Sequence, residues 1–204
     1  ALTDLQPGYA LGAELDYAAN HIVGLTPANA SNAWALAVRH DIARAYHLRT
    51  MSDFARWVRE GGQVVLACSA EFANAGTLRS LEKTYDFAMH PDQLIVLAGG
   101  ETSATIGAAA ARTNGINTAM VYGTDGGIVA AQLVLLEDDR HNQPVYAPVP
   151  IAREAIVRAY PQLPAIIRPL MQSLDSDTLR RLNARVQIDG DSALQLRRIK
   201  SMDG

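Results

Sequence analysis

The stretch that decides the fold is AMVYGTDGGIVAAQLVLLEDD, residues 119–139. An apolar run reaches Tyr122 and breaks into Gly123-Thr124-Asp125-Gly126-Gly127. It then resumes as a second apolar run and stops at Glu137-Asp138-Asp139. Glycines supply the conformational freedom of a tight turn. They do not explain an aromatic and an acid at the same place. Upstream, QVVLACS (63–69) has the length and β-branched content of a buried strand, and strands are predicted at 93–98 and 117–122. Helices are predicted between them, at 74–84 and at the alanine-rich 103–112, which Asn114-Gly115 closes. Further upstream come a helix over 8–20, a strand at 22–27 ending at Pro27, the polar turn ANASN, and a strand WALAVR (34–39). A helix follows at 40–48, and another begins at Ser52 and ends at Gly61-Gly62. This β-α alternation with short connections predicts an α/β sheet with helices on its faces.

Downstream of Asp125 the pattern changes. Strands are predicted at 131–136 and 143–151, then helices at 152–173, interrupted by Pro161 and Pro164, and at 176–184. Two strands and two helices are too few to cover both faces of a separate sheet.

The chain has 204 residues, 49% hydrophobic and 19% charged, with a net charge of −3. That is a globular balance, and it lacks the clustered basic surface of a nucleic-acid binder. One cysteine, Cys68, excludes an intrachain disulfide and a cysteine-based zinc cluster. No apolar run has the length of a membrane span, and no signal-peptide pattern occurs, as expected of a mature or a non-exported chain.

Enzyme signatures are missing. GGETSATIG (99–107) offers a helix N-terminus where phosphate could sit, but it lacks the Walker lysine and the spaced glycines of a dinucleotide fingerprint. A helix capped near Thr102 or Ser103 accounts for it equally well. The histidines (21, 40, 47, 90 and 141) have no paired metal-ligand spacing. Cys68 lies in an apolar run, as a core thiol does. Asp138 and Asp139 form a carboxylate pair only if they are not a solvated strand end. What remains is a set of aromatics at turns: Trp34 after Asn29-Ala30-Ser31-Asn32, Tyr122 before the glycines, and Tyr146 in QPVYAPVP, held by prolines on both sides. Aromatic faces on loops at strand ends attract cations.

Six stretches then carry a resemblance: LTPANASNAWALAVRHDIA (25–43), VVLACSAEFANAGTLRSLEKTYDF (64–87), QLIVLAGGETSATIGAAAARTNGINTAMVYGTDGGI (93–128), LVLLEDD (133–139), QPVYAPVPIARE (143–154) and SLDSDTLRRLNARVQIDG (173–190). In order and spacing, over about residues 8–194, they resemble the osmoprotectant-binding proteins of ABC importers. These are of the glycine betaine/choline type with an OpuAC-type domain, and within them the resemblance is to the YehZ/OsmF group. It implies a type II periplasmic-binding-protein clamshell of α/β lobes, here one complete lobe and the C-terminal part of the other. Residues 1–26 are then a remnant of lobe 1, 27–121 the complete lobe 2, 122–195 the C-terminal part of lobe 1, and 196–204 a tail. The chain is expected to cross between lobes near Leu25–Pro27 and Tyr122–Asp125.

The resemblance further implies a site, with Tyr122 and Tyr146 as two aromatic walls of a quaternary-ammonium cage and Trp34 as the aromatic from lobe 2. Asn32, Thr124 and Asp125 are at its polar end. Its implied partners are a quaternary ammonium osmolyte and ABC permease subunits, its location the periplasm, and it needs no cofactor or metal. Two features depart from the pattern. The lobe 1 segment with a Tyr-Pro-Glu-Tyr-Thr-Gly-type motif is unmatched, and no arginine follows SAEF, where the chain has Ala73-Asn74-Ala75-Gly76. Three aromatic contacts at ~1 kcal/mol each fall short of the roughly 4 kcal/mol of a millimolar site, so weak binding is expected. The uncovered lobe 1 surface leads to the expectation of a homo-oligomer. The alternative is a self-associating interaction protein derived from this family that no longer serves transport.

Overall fold

The computed structural model describes residues 2–5, 17, 19–74, 76–99 and 101–192. The helix expected over 8–20 and the tail at 196–204 lie outside the described residues, apart from Tyr17, Ala19 and Asn20. The chain groups into two compact units. One comprises Ala1–Ala33 and Pro144–Arg180, the other Trp34–Gln143 and Arg181–Gly204.

The larger unit, Trp34–Gln143 with Arg181 onward, is built on a five-stranded sheet. Its strands are β3 (Trp34–Arg39), β4 (Leu66–Ser69), β5 (Leu94–Leu97), β6 (Thr118–Tyr122) and β7 (Leu133–Leu135), in the order β5-β4-β6-β3-β7. β4 runs parallel to β5 and β6, and β3 runs antiparallel to β6 and β7. Strand periodicity sorts the side chains onto two faces. Leu36, Val38, Leu66, Cys68 and Met120 point into one core with Phe54, Phe72, Leu81 and Tyr85. Ala37, Ala67, Ala119 and Val121 point into the other with Ile106, Ala109 and Ile128. The second face is mostly alanine, so the alanine-rich helix α5 (Thr102–Ala111) can lie close against it. Cys68 is fully buried, and burial raises its thiol pKa, so it is the core thiol that its apolar run implied.

The helices of this unit begin and end where local chemistry directs. α1 is His40–Ala45. α2 (Met51–Arg59) starts one turn position earlier than Ser52, because Thr50 is its N-cap. The Thr50 hydroxyl accepts the Asp53 N–H while the Asp53 carboxylate accepts the Thr50 N–H. Ser52 is instead engaged by Asp139, its hydroxyl donating at 2.6 Å and its N–H at 3.1 Å. The single helix expected over 74–84 is two, α3 (Ala70–Asn74) and α4 (Thr77–Tyr85), with Gly76 between them at φ 84°. That left-handed conformation suits glycine and ends a helix.

β7 pairs with β3 through Ala37↔Leu135, Val38↔Val134 and Arg39↔Leu133, so residues 133–135 form an edge of the five-stranded sheet. Beyond β7 the chain is tied down by Tyr85, which is 1% exposed. Its hydroxyl donates to Asp138 and accepts the Arg140 N–H at 2.8 Å. Asp138 also accepts the N–H groups of Asn142 at 3.0 Å and Gln143 at 2.6 Å. Asp138 and Asp139 are therefore committed to separate structural contacts.

The smaller unit, Ala1–Ala33 with Pro144–Arg180, holds a three-stranded sheet of order β1-β8-β2. In it β1 (Leu2–Leu5) and β2 (Ile22–Gly24) both run antiparallel to β8 (Ala147–Arg153). The expected helix over 152–173 begins later, because β8 continues to Arg153. It divides into α7 (Glu154–Ala159) and α8 (Leu163–Gln172), with Pro161 in the break and Pro164 in the first turn of α8, where a missing N–H does no harm. Met171 packs on Ala28 and Ala30, with Ile167, Leu174 and Leu179 around them. In the larger unit, α6 is the short turn Gly127–Ala130. The last helix, α9 (Ser176–Gln187), begins in the smaller unit and ends in the larger.

Candidate ligand-binding site

In the larger unit the parallel strands β4 and β6 end together, and helices α3 and α5 begin just beyond such strand ends. Open α/β sheets bind ligands at this edge. β3 runs the other way, so its first residue lies beside the last residue of β6, and the register pairs Trp34 with Tyr122 directly. Their rings stack with centroids 6.2 Å apart and planes 22° from parallel. Phe72 meets Trp34 edge-on at 5.8 Å and 81°. A cross-strand aromatic pair contributes about 0.5–1.5 kcal/mol beyond its area. The tyrosine at the glycine turn is thus explained by register: it is the cross-strand partner of a tryptophan 88 positions earlier in the chain (122 − 34).

The turn that follows is held by its acid. The Asp125 carboxylate accepts the Tyr122 N–H at 2.7 Å and the Thr102 hydroxyl, and the Asp125 N–H returns to the Tyr122 carbonyl at 3.0 Å. Burial is the largest influence on this carboxyl and lifts its pKa above the ordinary 3.8, against the opposing pull of those two hydrogen bonds. Thr124 is buried, and its carbonyl accepts Asn183 Nδ2 at 2.8 Å. Gly126 is needed for close approach, since a Cβ there would lie 2.2 Å from the Ala184 nitrogen. The α9 end therefore docks on this turn. A cavity of about 660 Å³ opens beside it, lined by Glu101, Thr102, Ser103, Ile106, Tyr122, Asp125 and Gln187 among others.

Of the six residues expected from sequence, Trp34, Tyr122, Thr124 and Asp125 lie in the larger unit. The first two are in ring contact, and Asp125 is engaged by the Tyr122 backbone. Asn32 and Tyr146 lie in the smaller unit, where the Asn32 N–H donates to the Tyr146 carbonyl at 2.9 Å and the Tyr146 N–H donates to Ser31 Oγ at 3.1 Å. Both are half-buried. Sequence reasoning missed Phe72 and Asn183. Phe72 was legible as an apolar residue just after a buried strand, whereas nothing local marks Asn183 as the partner of Thr124. Among the described residues no group of three His, Cys, Asp or Glu side chains could hold a metal ion. The arrangement presents aromatic faces, hydroxyls and backbone donors, which suit recognition of a polar small molecule.

Comparison with known proteins gives the same direction. The family described as the substrate binding domain of ABC-type glycine betaine transport system, OpuAC, matches residues 8–198. The glycine betaine-binding protein YehZ of Escherichia coli (strain K12) is 45% identical over 191 residues, which is 93% of this chain and 63% of that protein. A glycine-betaine-binding protein of Pseudomonas aeruginosa is 28% identical over 187 residues, 84% of this chain and 56% of that one. The chain thus spans less than two thirds of the length of these relatives. Apo YehZ from Escherichia coli superposes with a TM-score of 0.81 at 43% identity, over 96% of this chain and 70% of that structure. The α/β fold is accordingly that of the type II substrate-binding proteins, over about 70% of their length. A match covering nearly every residue, on a fold that agrees at this level, places the chain in the OpuAC family of substrate-binding domains of ABC-type glycine betaine transport systems.

Proposed function

We propose that this chain is the solute-binding component of an osmoprotectant importer, taking a quaternary ammonium osmolyte of the glycine betaine or choline type. The observation that supports it most is the stacked Trp34–Tyr122 pair at the strand ends of a chain in this family. A trimethylammonium group is a diffuse cation with apolar methyls, and the negative face of an aromatic ring suits both properties. Tyr146 is a further aromatic contact, and Asn32, Thr124 and the Asp125 turn serve the polar end. The bound osmolyte passes to ABC permease subunits, and the working compartment is the periplasm.

The 204-residue chain binds weakly. Trp34 and Tyr122 give one another part of their ring surface. Three aromatic contacts at ~1 kcal/mol each stay below the roughly 4 kcal/mol of a millimolar Kd. Calorimetric titration with glycine betaine, choline and proline betaine tests the reading. Saturable heat in the millimolar range is expected, with affinity falling roughly fivefold in Tyr122→Ala as one aromatic contact of ~1 kcal/mol goes. Absence of heat with all of them sinks the proposal.

A second reading, self-association, is favoured by one observation. On α7, α8 and the break between them, Ile156, Tyr160, Ile166 and Leu170 are 45%, 56%, 66% and 48% exposed. Apolar side chains grouped in this way commonly mark an interface.

A further inference from the structure

Two buried side-chain donors have no hydrogen-bond partner among the described residues, the indole Nε1 groups of Trp34 and Trp57. These are the two tryptophans of the chain. A buried N–H without an acceptor is unfavourable and rare in native proteins, so each orphan needs a physical explanation. The two differ in their surroundings. Trp57 is 4% exposed and closed in by Tyr46 and Phe54, with ring centroids at 5.1 and 6.0 Å. A Cβ on Gly62 would fall 2.4 Å from its Nε1, so the chain itself seals that side and leaves no room for an acceptor. Its orphan is a consequence of tight core packing.

Trp34 is different. It is only partly buried and stands at the first position of β3, where the sheet ends. Tyr122 takes a face of its ring and Phe72 meets it edge-on, so the indole is held in one orientation by its two neighbours. Its N–H has lost water and gained nothing in return. A donor fixed in this way stands ready for an acceptor that arrives with the ligand, since a buried polar group left unpaired rejects any ligand that cannot pair with it.

We propose that the Trp34 indole N–H donates to the carboxylate of the bound osmolyte and so selects a zwitterion over a quaternary ammonium alcohol. This rests on the reading of the chain as a quaternary-ammonium binder. It assigns Trp34 a role beyond that of an aromatic wall: its N–H reads the anionic end of the ligand. A charge-assisted N–H···O⁻ bond is stronger than one to a neutral hydroxyl. Glycine betaine, with a carboxylate, is therefore preferred to choline, which carries a hydroxyl in its place.

The test uses the full chain labelled with ¹⁵N at indole nitrogen, which yields one resonance from Trp34 and one from Trp57. On titration with glycine betaine, the Trp34 N–H resonance moves downfield, Trp57 stays as an internal reference, and choline moves Trp34 much less. Trp34→Phe keeps an aromatic ring against Tyr122 and removes the donor together with part of the ring surface, so the ratio of the two ligand affinities is the readout. The variant melts somewhat lower than the parent, because the smaller ring gives up packing against Phe72 and Tyr122. Both affinities fall with the lost ring surface, and glycine betaine loses roughly tenfold or more beyond what choline loses. Binding of glycine betaine that leaves the Trp34 N–H unmoved, or an equal loss for both ligands, overturns the proposal. Failure of either ligand to bind the parent chain overturns it together with the functional reading, which distinguishes that outcome from the others.

Discussion

At the residue scale, Asp125 both lines the cavity and holds the turn that carries Tyr122. Its carboxylate closes the turn by accepting the Tyr122 N–H and the Thr102 hydroxyl. This fixes the backbone from which the tyrosine ring projects. Burial lifts its folded pKa above 3.8, so the folded chain holds this proton more tightly than the unfolded chain does. Its stabilising contribution is then fully present below the unfolded value and is lost as pH rises through the folded value. Comparing urea midpoints of the parent and Asp125→Asn over about pH 3 to about pH 7, we expect the parent to lose ground to the variant as pH rises. A difference that is flat with pH, or of opposite sign, contradicts the assignment.

At the scale of elements, the contact between the glycine turn and α9 is the one most sensitive to a single methyl. In Gly126→Ala the new Cβ would lie 2.2 Å from the Ala184 nitrogen and 2.5 Å from its Cα, both backbone atoms of a helix. Backbone cannot swing aside as the end of a side chain can, so the helix end must shift. The move also strains the Asn183–Thr124 hydrogen bond. A loss of about 1–3 kcal/mol is expected for such overpacking, read as a lower urea midpoint. An unchanged midpoint would mean that α9 does not dock on this turn. The capping box of α2 is the local counterpart. Burial pushes the Asp53 carboxyl up, but the N–H groups of Arg49 and Thr50 and the Thr50 hydroxyl together hold it below its ordinary value. Burial raises both carboxyls, but the net shifts of Asp53 and Asp125 are opposite, because only at Asp53 do the surrounding donors outweigh it.

At the scale of the whole molecule, the exposed Ile166 and Leu170 lie four residues apart on α8 and so on one helical face, about 100° round the helix from the Ile167 and Met171 that pack inward. The self-association reading predicts a weight-average mass above the 21.9 kDa of one chain in sedimentation at micromolar protein, with Ile166→Asp returning it toward one chain. A parent that sediments as a single chain removes that reading and leaves the binding function untouched.

Much of this was legible in the sequence. Strand β3 stands where WALAVR was expected, and the alanine-rich helix and the strand into Tyr122 fall within a residue of their expected bounds. Periodicity and end signals are local, so they can be read from neighbours in the chain. The family was legible too, because its stretches recur in order over most of the chain. Other features were not. That Trp34 stacks on Tyr122 depends on an antiparallel register between strands separated by two others in sequence. That 133–135 joins the larger sheet depends on pairing with β3, and that Asp138 belongs to Tyr85 depends on a buried hydroxyl 53 residues away. By itself, then, the sequence determined the α/β class, the order of elements and the aromatics available for binding, since these follow from composition and local period. Only the tertiary structure decided which aromatics meet, which carboxylates are engaged and which indole N–H is left without a partner. Those outcomes depend on contacts between residues distant in the chain, and no local pattern specifies them.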